Sequence, residues 1–355
     1  AVPALAGLLQ PDVLAPATLS ALHASSARWH AAQGDTEAQL LALLQARRHQ
    51  AGPALRAALA ALLPGPTPAF GPEWREEQPY WEQLLQHADA RWRRLATFQL
   101  ATLHTEGLLE PRPPRRCQDL RQAHALWLKL MAQPPYADIA QAALDHPAQT
   151  LMRPALRRAG GVDHLWFETP GAQGVTIVFS CIATHHTFAE VTALHGRLPG
   201  QHLMFVRCPD KDWYSDRSFD SVHELLRTQV QARFAASDVT CWYGSMGGHG
   251  ALKFALAFGW RAIVFNPQTD LDLWAAFRPR ERALLWGAER HARLAEWPLA
   301  AWGQAPLYLA CGAATADREA LSVVLERLRR CRHASVILEK FADDNHAGLM
   351  NRIAG

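Results

Sequence analysis

Two kinds of hydrophobic spacing divide the chain. Over residues 1–158 apolar positions recur at helical intervals among Ala, Leu, Gln and Arg, with almost no β-branched runs. Pro64-Gly65-Pro66-Thr67-Pro68 and Pro111-Arg112-Pro113-Pro114 interrupt this pattern, so it predicts an all-helical domain in about three blocks. Within it, Arg28 to Ala32, the Gln33-Gly34-Asp35 turn and the row Ala38, Leu41, Leu44, Ala46 read as helix, turn, helix.

From Gly160 short β-branched or aromatic runs alternate with helical stretches. Strands are expected at 164–168, 174–180, 202–207, 238–243, 262–266, 306–311 and 334–340, and helices near 187–197, 219–236, 247–258 and 317–331. Such alternation predicts an α/β fold, a mostly parallel doubly wound sheet with helices on both faces. The Gly160-Gly161 pair lies where the pattern changes and marks the expected boundary between a domain at 1–158 and one at 160–355. Residues 268–303 fit neither rhythm; rich in Trp, Arg and Ala, they read as helices inserted between two strands.

Composition narrows the function classes. Apolar residues make up 49% of the 355 and charged residues 19%, which excludes global disorder. The net charge is +3, and residues 1–155 carry 14 basic against 13 acidic side chains, so no basic arm or acidic tail is present and nucleic acid is not an expected partner. The long uncharged stretches that include 172–189 and 299–316 are broken by Gly, Gln, Pro306 or the His185-His186 pair, so no membrane span is expected. The start AVPALAGLLQPDVLAP lacks a basic segment followed by a sustained apolar run, so no secretory signal is visible. Six widely spaced cysteines, four of them in or beside expected strands, read as buried thiols of a reducing, cytoplasmic compartment.

The sharpest chemical feature is Asp238-Val239-Thr240-Cys241-Trp242-Tyr243-Gly244-Ser245-Met246-Gly247-Gly248, with a helical run directly after it. A strand, a turn of the Gly-x-Ser-x-Gly type and a helix form the context of a nucleophile elbow. Glycines relieve crowding on either side of a serine held in a tight turn, and the helix N-terminus favours negative charge beside it. A plain glycine-rich turn is the bland alternative. A phosphate loop is not expected, because no Gly-Lys-Ser/Thr ends the run.

Here the sequence resembles the α/β-hydrolase superfamily over about residues 162–355, and the helix-turn-helix near residue 34 is similar to a tetratricopeptide-type hairpin, though no second copy follows at a period of about 34 residues. The superfamily's chain order of nucleophile, acid and histidine implies Ser245, Asp317 and His346 as a triad. Asp317 follows the strand Leu307 to Cys311, and His346 follows the last strand in Ala342-Asp343-Asp344-Asn345-His346-Ala347-Gly348. A serine hydroxyl needs a neutral imidazole to take its proton, and the imidazole needs a carboxylate to fix its tautomer. Asp343 and Asp344 compete for the acid role, and a helix N-cap is the structural alternative for Asp317. The resemblance implies oxyanion donors at the Met246 N–H and at Cys181 or Ile182, where this chain departs from the His-Gly or Gly-Gly of many members. Cys181 as a low-pKa nucleophile is the less favoured reading.

His185 and His186 either contact substrate or cap the following helix. In the insertion, Trp274, Phe277, Trp286, Trp297 and Trp302 alternate with arginines, so a lid with one apolar side is expected, with Trp274, Trp286 and His185 as substrate-binding candidates. Val264-Phe265-Asn266-Pro267-Gln268 is similar to a group of bacterial hydrolase-like proteins with Phe-Ser-Pro-Gln at this place. No metal motif is present and no cofactor is expected. The expectation is a serine hydrolase acting on an ester, thioester or activated amide of a small-molecule or carrier-linked acyl substrate. An acyltransferase with the same triad, or an inert scaffold whose helical domain recruits a protein partner, are the alternatives.

Overall fold

The computed structural model describes residues 15–50, 52–68, 77–106, 119–181, 187–188, 190–208, 212–272, 294, 306–313, 315–331 and 335–342. The chain divides into two compact units, the first ending at Thr150 and the second beginning at Leu151.

The first unit is helical: α1 (Pro16–Ala32), α2 (Thr36–His49), α3 (Pro53–Leu62), α4 (Gln78–Leu84), α5 (Ala90–Glu106), α6 (Leu120–Met131) and α7 (Ala137–Asp145). The expected turn between α1 and α2 is present. Gly34 takes φ 73°, which is open to glycine without a Cβ penalty, and the Asp35 side chain caps α2 by accepting from the Ala38 N–H at 3.0 Å. Leu40, Leu44, Trp81, Leu95, Phe98, Trp127 and Tyr136 meet in one apolar core. Two carboxylates, Glu77 buried and Glu37 half-buried, tie the helices together. Glu77 takes the Arg47 Nη1 at 2.8 Å and the Trp81 indole N–H at 3.3 Å, while Glu37 takes the Arg94 Nε at 2.7 Å and the Tyr136 hydroxyl at 2.9 Å.

The second unit contains β1 (Leu156–Ala159), β2 (Val162–Phe167), β3 (Gly174–Phe179), α8 (Glu190–Leu194), β4 (Gln201–Val206), α9 (Asp216–Leu226), β5 (Val239–Gly244), α10 (Ser245–Phe258), β6 (Arg261–Phe265), β7 (Leu307–Cys311), α11 (Thr315–Arg330) and β8 (Val336–Lys340). These strands form one sheet of eight in the order β1-β2-β4-β3-β5-β6-β7-β8. Strand β2 runs antiparallel to both neighbours, and from β4 onward every pairing is parallel. All six residues of β3 are buried, as a central strand covered on both faces requires. Val175, Ile177, Phe179, Cys241, Leu252 and Phe254 belong to one core that joins the sheet to the helices.

Three expectations shift. Residues 156–159, expected within the helical region, form the first strand, and the Gly160-Gly161 pair is a hairpin turn within the second unit instead of a boundary. Both glycines have positive φ, 56° and 83°, the backbone demanded by a two-residue hairpin whose twist matches its strands. The expected helix 219–236 is α9 followed by a wider turn, Arg227–Gln231, and the helix near 187–197 shrinks to α8 because the chain reverses through Gly196 at φ 79°. Cys181, Cys208, Cys241 and Cys311 are buried free thiols and Cys331 is an exposed one; Cys117 lies outside the described residues. Among the described residues no helix is long and apolar enough to cross a membrane.

The buried Arg47–Glu77 pair generates a stability contrast. Glu77→Ala leaves the guanidinium buried without its carboxylate, and we expect a loss of about 3–5 kcal/mol. Arg48→Ala, which removes a pair half open to water, should cost under about 1 kcal/mol. Urea unfolding followed by tryptophan fluorescence checks the difference, and equal losses would show that Glu77 is not the partner that offsets Arg47.

Candidate active site

The sheet topology selects a place before any side chain is considered. Strands β3 and β5 are neighbours, and the connection from β3 runs to β4 on one side while the connection from β5 runs to β6 on the other. In an open parallel sheet the crevice beyond the carboxyl ends of two such strands is where ligands bind. Ser180 and Cys181 follow β3 there, and Ser245 follows β5.

Ser245 is the first residue of α10, with φ 55°. That left-handed conformation costs a non-glycine residue about 1–2 kcal/mol, and it turns the chain from strand to helix without an intervening loop. Close approach explains the glycine after it. A Cβ on Gly247 would lie 2.3 Å from the Phe179 carbonyl oxygen and 3.0 Å from that of Ser180. The helix therefore begins against the end of β3, and only a residue without a side chain permits this. The elbow departs from the expected pattern at one point. Two positions before the serine stands Tyr243, and its Cδ1 lies 3.0 Å from where the Gly247 Cβ would be, so Tyr243 packs into the space that Gly247 leaves.

Ser245 is 6% exposed and Met246 is buried. The Met246 N–H is in the first turn of α10, where N–H groups have no acceptor within the helix. Cys181 is buried beside the end of β3, and its alternative oxyanion partner Ile182 lies outside the described residues. Burial, together with the neighbouring Glu190 and Cys181, pushes the Tyr243 phenol far above its usual range, so it stays protonated at any working pH.

Asp317 is the third residue of α11 and is 3% exposed. It is a first-turn carboxylate and not the N-cap, and it lies just past the carboxyl end of β7, where the helix N-terminus favours its charge. Together with burial, its charge raises the neighbouring Cys311 thiol to about 11. Asn266, at the end of β6, takes φ 41° and accepts the Gly312 N–H at 2.6 Å, which ties the β6 and β7 ends together. His346, Asp343, Asp344, His185, His186, Trp274 and Trp286 lie outside the described residues, as does most of the 268–303 insertion. Among the described residues no group of three or more His, Cys, Asp and Glu could hold a metal ion.

The structure adds residues that spacing did not single out. The Asn266-Pro267-Gln268 segment lies on the elbow. A Cβ on Gly248 would be 3.2 Å from Pro267 Cα, the Gln268 N–H reaches the Ser245 carbonyl at 3.4 Å, and the buried His249 Nδ1 donates to the Gln268 carbonyl. Trp213 donates its indole N–H to Gln268 Oε1 at 2.6 Å. Lys253 is wholly buried among Ala251, Leu252, Phe254, Ala255 and Leu256. A single charge in that apolar run was the visible signal; its partners, distant in sequence, were not.

No protein-family model and no curated protein matches the chain. Several solved structures are similar. A capsule O-acetyltransferase of Neisseria meningitidis serogroup A has 12% identity and a TM-score of 0.42, over 56% of this chain and 91% of that one. An esterase of the bacterial hormone-sensitive lipase family has 13% identity and a TM-score of 0.40, over 73% of this chain and 92% of that one. An S-formylglutathione hydrolase of Staphylococcus aureus has 13% identity and a TM-score of 0.39, over 54% and 90%. The strand order, the antiparallel second strand and the strand-to-helix turn at Ser245 give the second unit the α/β-hydrolase fold.

Proposed function

We propose that the second unit is a serine hydrolase that opens a carboxylic ester, thioester or activated amide through an acyl-Ser245 intermediate. One observation carries the reading: Ser245 is held at φ 55° at the carboxyl end of a central strand, with the start of its helix against the end of β3. Backbone strain of this kind persists where the surrounding structure over-determines it, and it gathers at functional sites.

In the proposed reaction His346 takes the proton from Ser245 Oγ as that oxygen attacks the carbonyl carbon, and Asp317 orients His346 and stabilises the imidazolium. The carbonyl π-bond electrons move to its oxygen, which the Met246 N–H and the N–H of Cys181 or Ile182 stabilise. Collapse of the tetrahedral intermediate breaks the bond to the leaving group, which receives the proton from His346. Water then attacks the acyl-serine by the same steps in reverse roles. An alcohol or amine in place of water gives acyl transfer, so incubating an acyl donor with candidate acceptors and measuring the product partition separates the two outcomes.

A fluorophosphonate should label Ser245, and Ser245→Ala should abolish labelling and lower turnover by about 10⁴ or more while leaving the fold intact. Persistent labelling of the alanine variant would remove Ser245 from the role, and absence of labelling in the wild-type chain would favour the inert scaffold. Asp317→Asn should cost more activity than Asp343→Asn or Asp344→Asn, because an amide leaves the imidazole in the wrong tautomer. The reverse ranking, read from turnover of the three variants, moves the acid to the histidine loop. The insertion carries the proposal of an apolar acyl pocket. Trp274→Ala or Trp286→Ala should raise KM for a long-chain ester more than for acetate, and equal effects on both would separate the insertion from substrate binding.

A further inference from the structure

Among the described residues, the non-glycine residues with positive φ are Trp213, Tyr214, Tyr243, Ser245 and Asn266. Three of them belong to the β5 and β6 ends already described. The other two are consecutive, each at φ 54°, in the segment between β4 and α9. Two adjacent bulky aromatic residues do not adopt this conformation unless something holds them there.

Lys253 holds them. Its Nζ donates to the Trp213 carbonyl at 3.3 Å, the Tyr214 carbonyl at 3.2 Å and Ser215 Oγ at 2.7 Å, and both Lys253 and Ser215 are wholly buried. Asp212 secures the segment from its other end, accepting from the Cys208 thiol and the Ser218 N–H, each at 2.9 Å. The short Ser215–Lys253 contact is not a second nucleophile with its base. Neither side chain reaches the surface, and the ammonium donors are directed at oxygens of the strained segment.

The two strained side chains reach different segments around the Ser245 elbow. Trp213 reaches Gln268, whose backbone contacts Ser245 and His249. The Tyr214 hydroxyl lies 3.0 Å from Ser180 Oγ, 3.0 Å from the Ser180 carbonyl and 3.0 Å from the Val206 carbonyl, while Ser180 Oγ accepts the Cys208 N–H at 3.1 Å. A phenol carries one proton, so Tyr214 donates to the carbonyl pair and accepts from the Ser180 hydroxyl. Its ring also fills the space beside Gly250, where a Cβ would stand 2.5 Å from Cδ2. Thus one side chain contacts α10 and the residue directly before Cys181. Burial keeps the phenol protonated, so the donor persists through the working pH range.

We propose that Tyr214, pinned by Lys253, is a positioning residue that fixes Ser180, and through it the backbone at Cys181 that faces the oxyanion, against the Ser245 elbow. This rests on the acyl-serine reading above. Small displacements of an oxyanion donor are costly: a misplacement of about 1 Å can lower a rate by roughly 10².

The test uses the full chain and a fluorophosphonate probe, recording the labelling end point, the maximal labelling rate and the probe concentration at half-maximal rate. Tyr214→Phe should reach the wild-type end point with a maximal rate roughly tenfold to a hundredfold lower and a half-maximal concentration unchanged. Lys253→Met should behave alike, and the double variant should be no slower than the slower single one, because both act through one segment. A purely structural role would lower the end point and leave the rate per labelled site unchanged; that result, or wild-type labelling rates in Tyr214→Phe, overturns the proposal. If the wild-type chain is not labelled at Ser245, the acyl-serine reading fails and the positioning role falls with it, an outcome distinct from a labelled wild type with an unaffected Tyr214→Phe.

Discussion

The arrangement depends on the close approach of two backbones, the start of α10 against the end of β3. With the Gly247 Cα this close to the Phe179 carbonyl, the serine before it has no room for an ordinary strand-to-helix loop and takes φ 55°. That contact is available only because β3 and β5 are neighbours although β4 comes between them in the chain. The crossover order of the sheet thus becomes a local geometry: a hydroxyl at a helix N-terminus, beside the first residues after an adjacent strand. For the proposed acyl-serine reaction, both oxyanion donors must be fixed before charge develops, and two parallel strands held in register would supply that rigidity.

Strain at this edge of the sheet is distributed. Each left-handed side-chain-bearing residue costs on the order of 1–3 kcal/mol, and the polar contacts beneath the site offset that cost. Lys253, Ser215, Asp212, Ser180, Gln268 and His249 are all buried, and each donates to or accepts from a neighbouring strand end, loop or helix start. An apolar core fills space but does not select one conformation of a loop; buried donors facing carbonyls do, because a shift of the loop would strand them without acceptors. The site end of the sheet is accordingly polar beneath its surface, while Val175, Ile177, Cys241 and Leu252 fill the rest of the core.

The helical unit uses the same physics at larger separation. Glu37 gathers Arg94 and Tyr136 and Glu77 gathers Arg47 and the nearby Trp81, so that the aromatic residues Trp81 and Tyr136 are buried with their polar ends satisfied. Burying a carboxylate alone would be prohibitive, and its pairing specifies which helices meet.

Much of this was legible along the chain. Alternation from Gly160 onward predicts each parallel strand to within two residues, because a strand covered on both faces must be a short apolar run whatever its neighbours. The Ser245 elbow is legible for a similar reason: a tight turn at a strand end needs small residues at fixed offsets. The hairpin at Gly160-Gly161 misled because a glycine pair signals a reversal without saying whether it lies between domains or within one. Tyr243 could not be read as compatible with the elbow, since its fit depends on the space left by Gly247. Sequence by itself determined the fold class and the strand-to-helix turn at Ser245, which follow from local periodicity and turn chemistry, whereas the candidate roles of Asp317 and His346 came from the superfamily resemblance. Only the tertiary structure decided that Gln268 meets the Ser245 elbow and that Lys253 and Tyr214 brace the segments around it. Their contacts join residues 34 to 55 positions apart, and such contacts exist only after the sheet has placed β3, β4, β5 and β6 side by side.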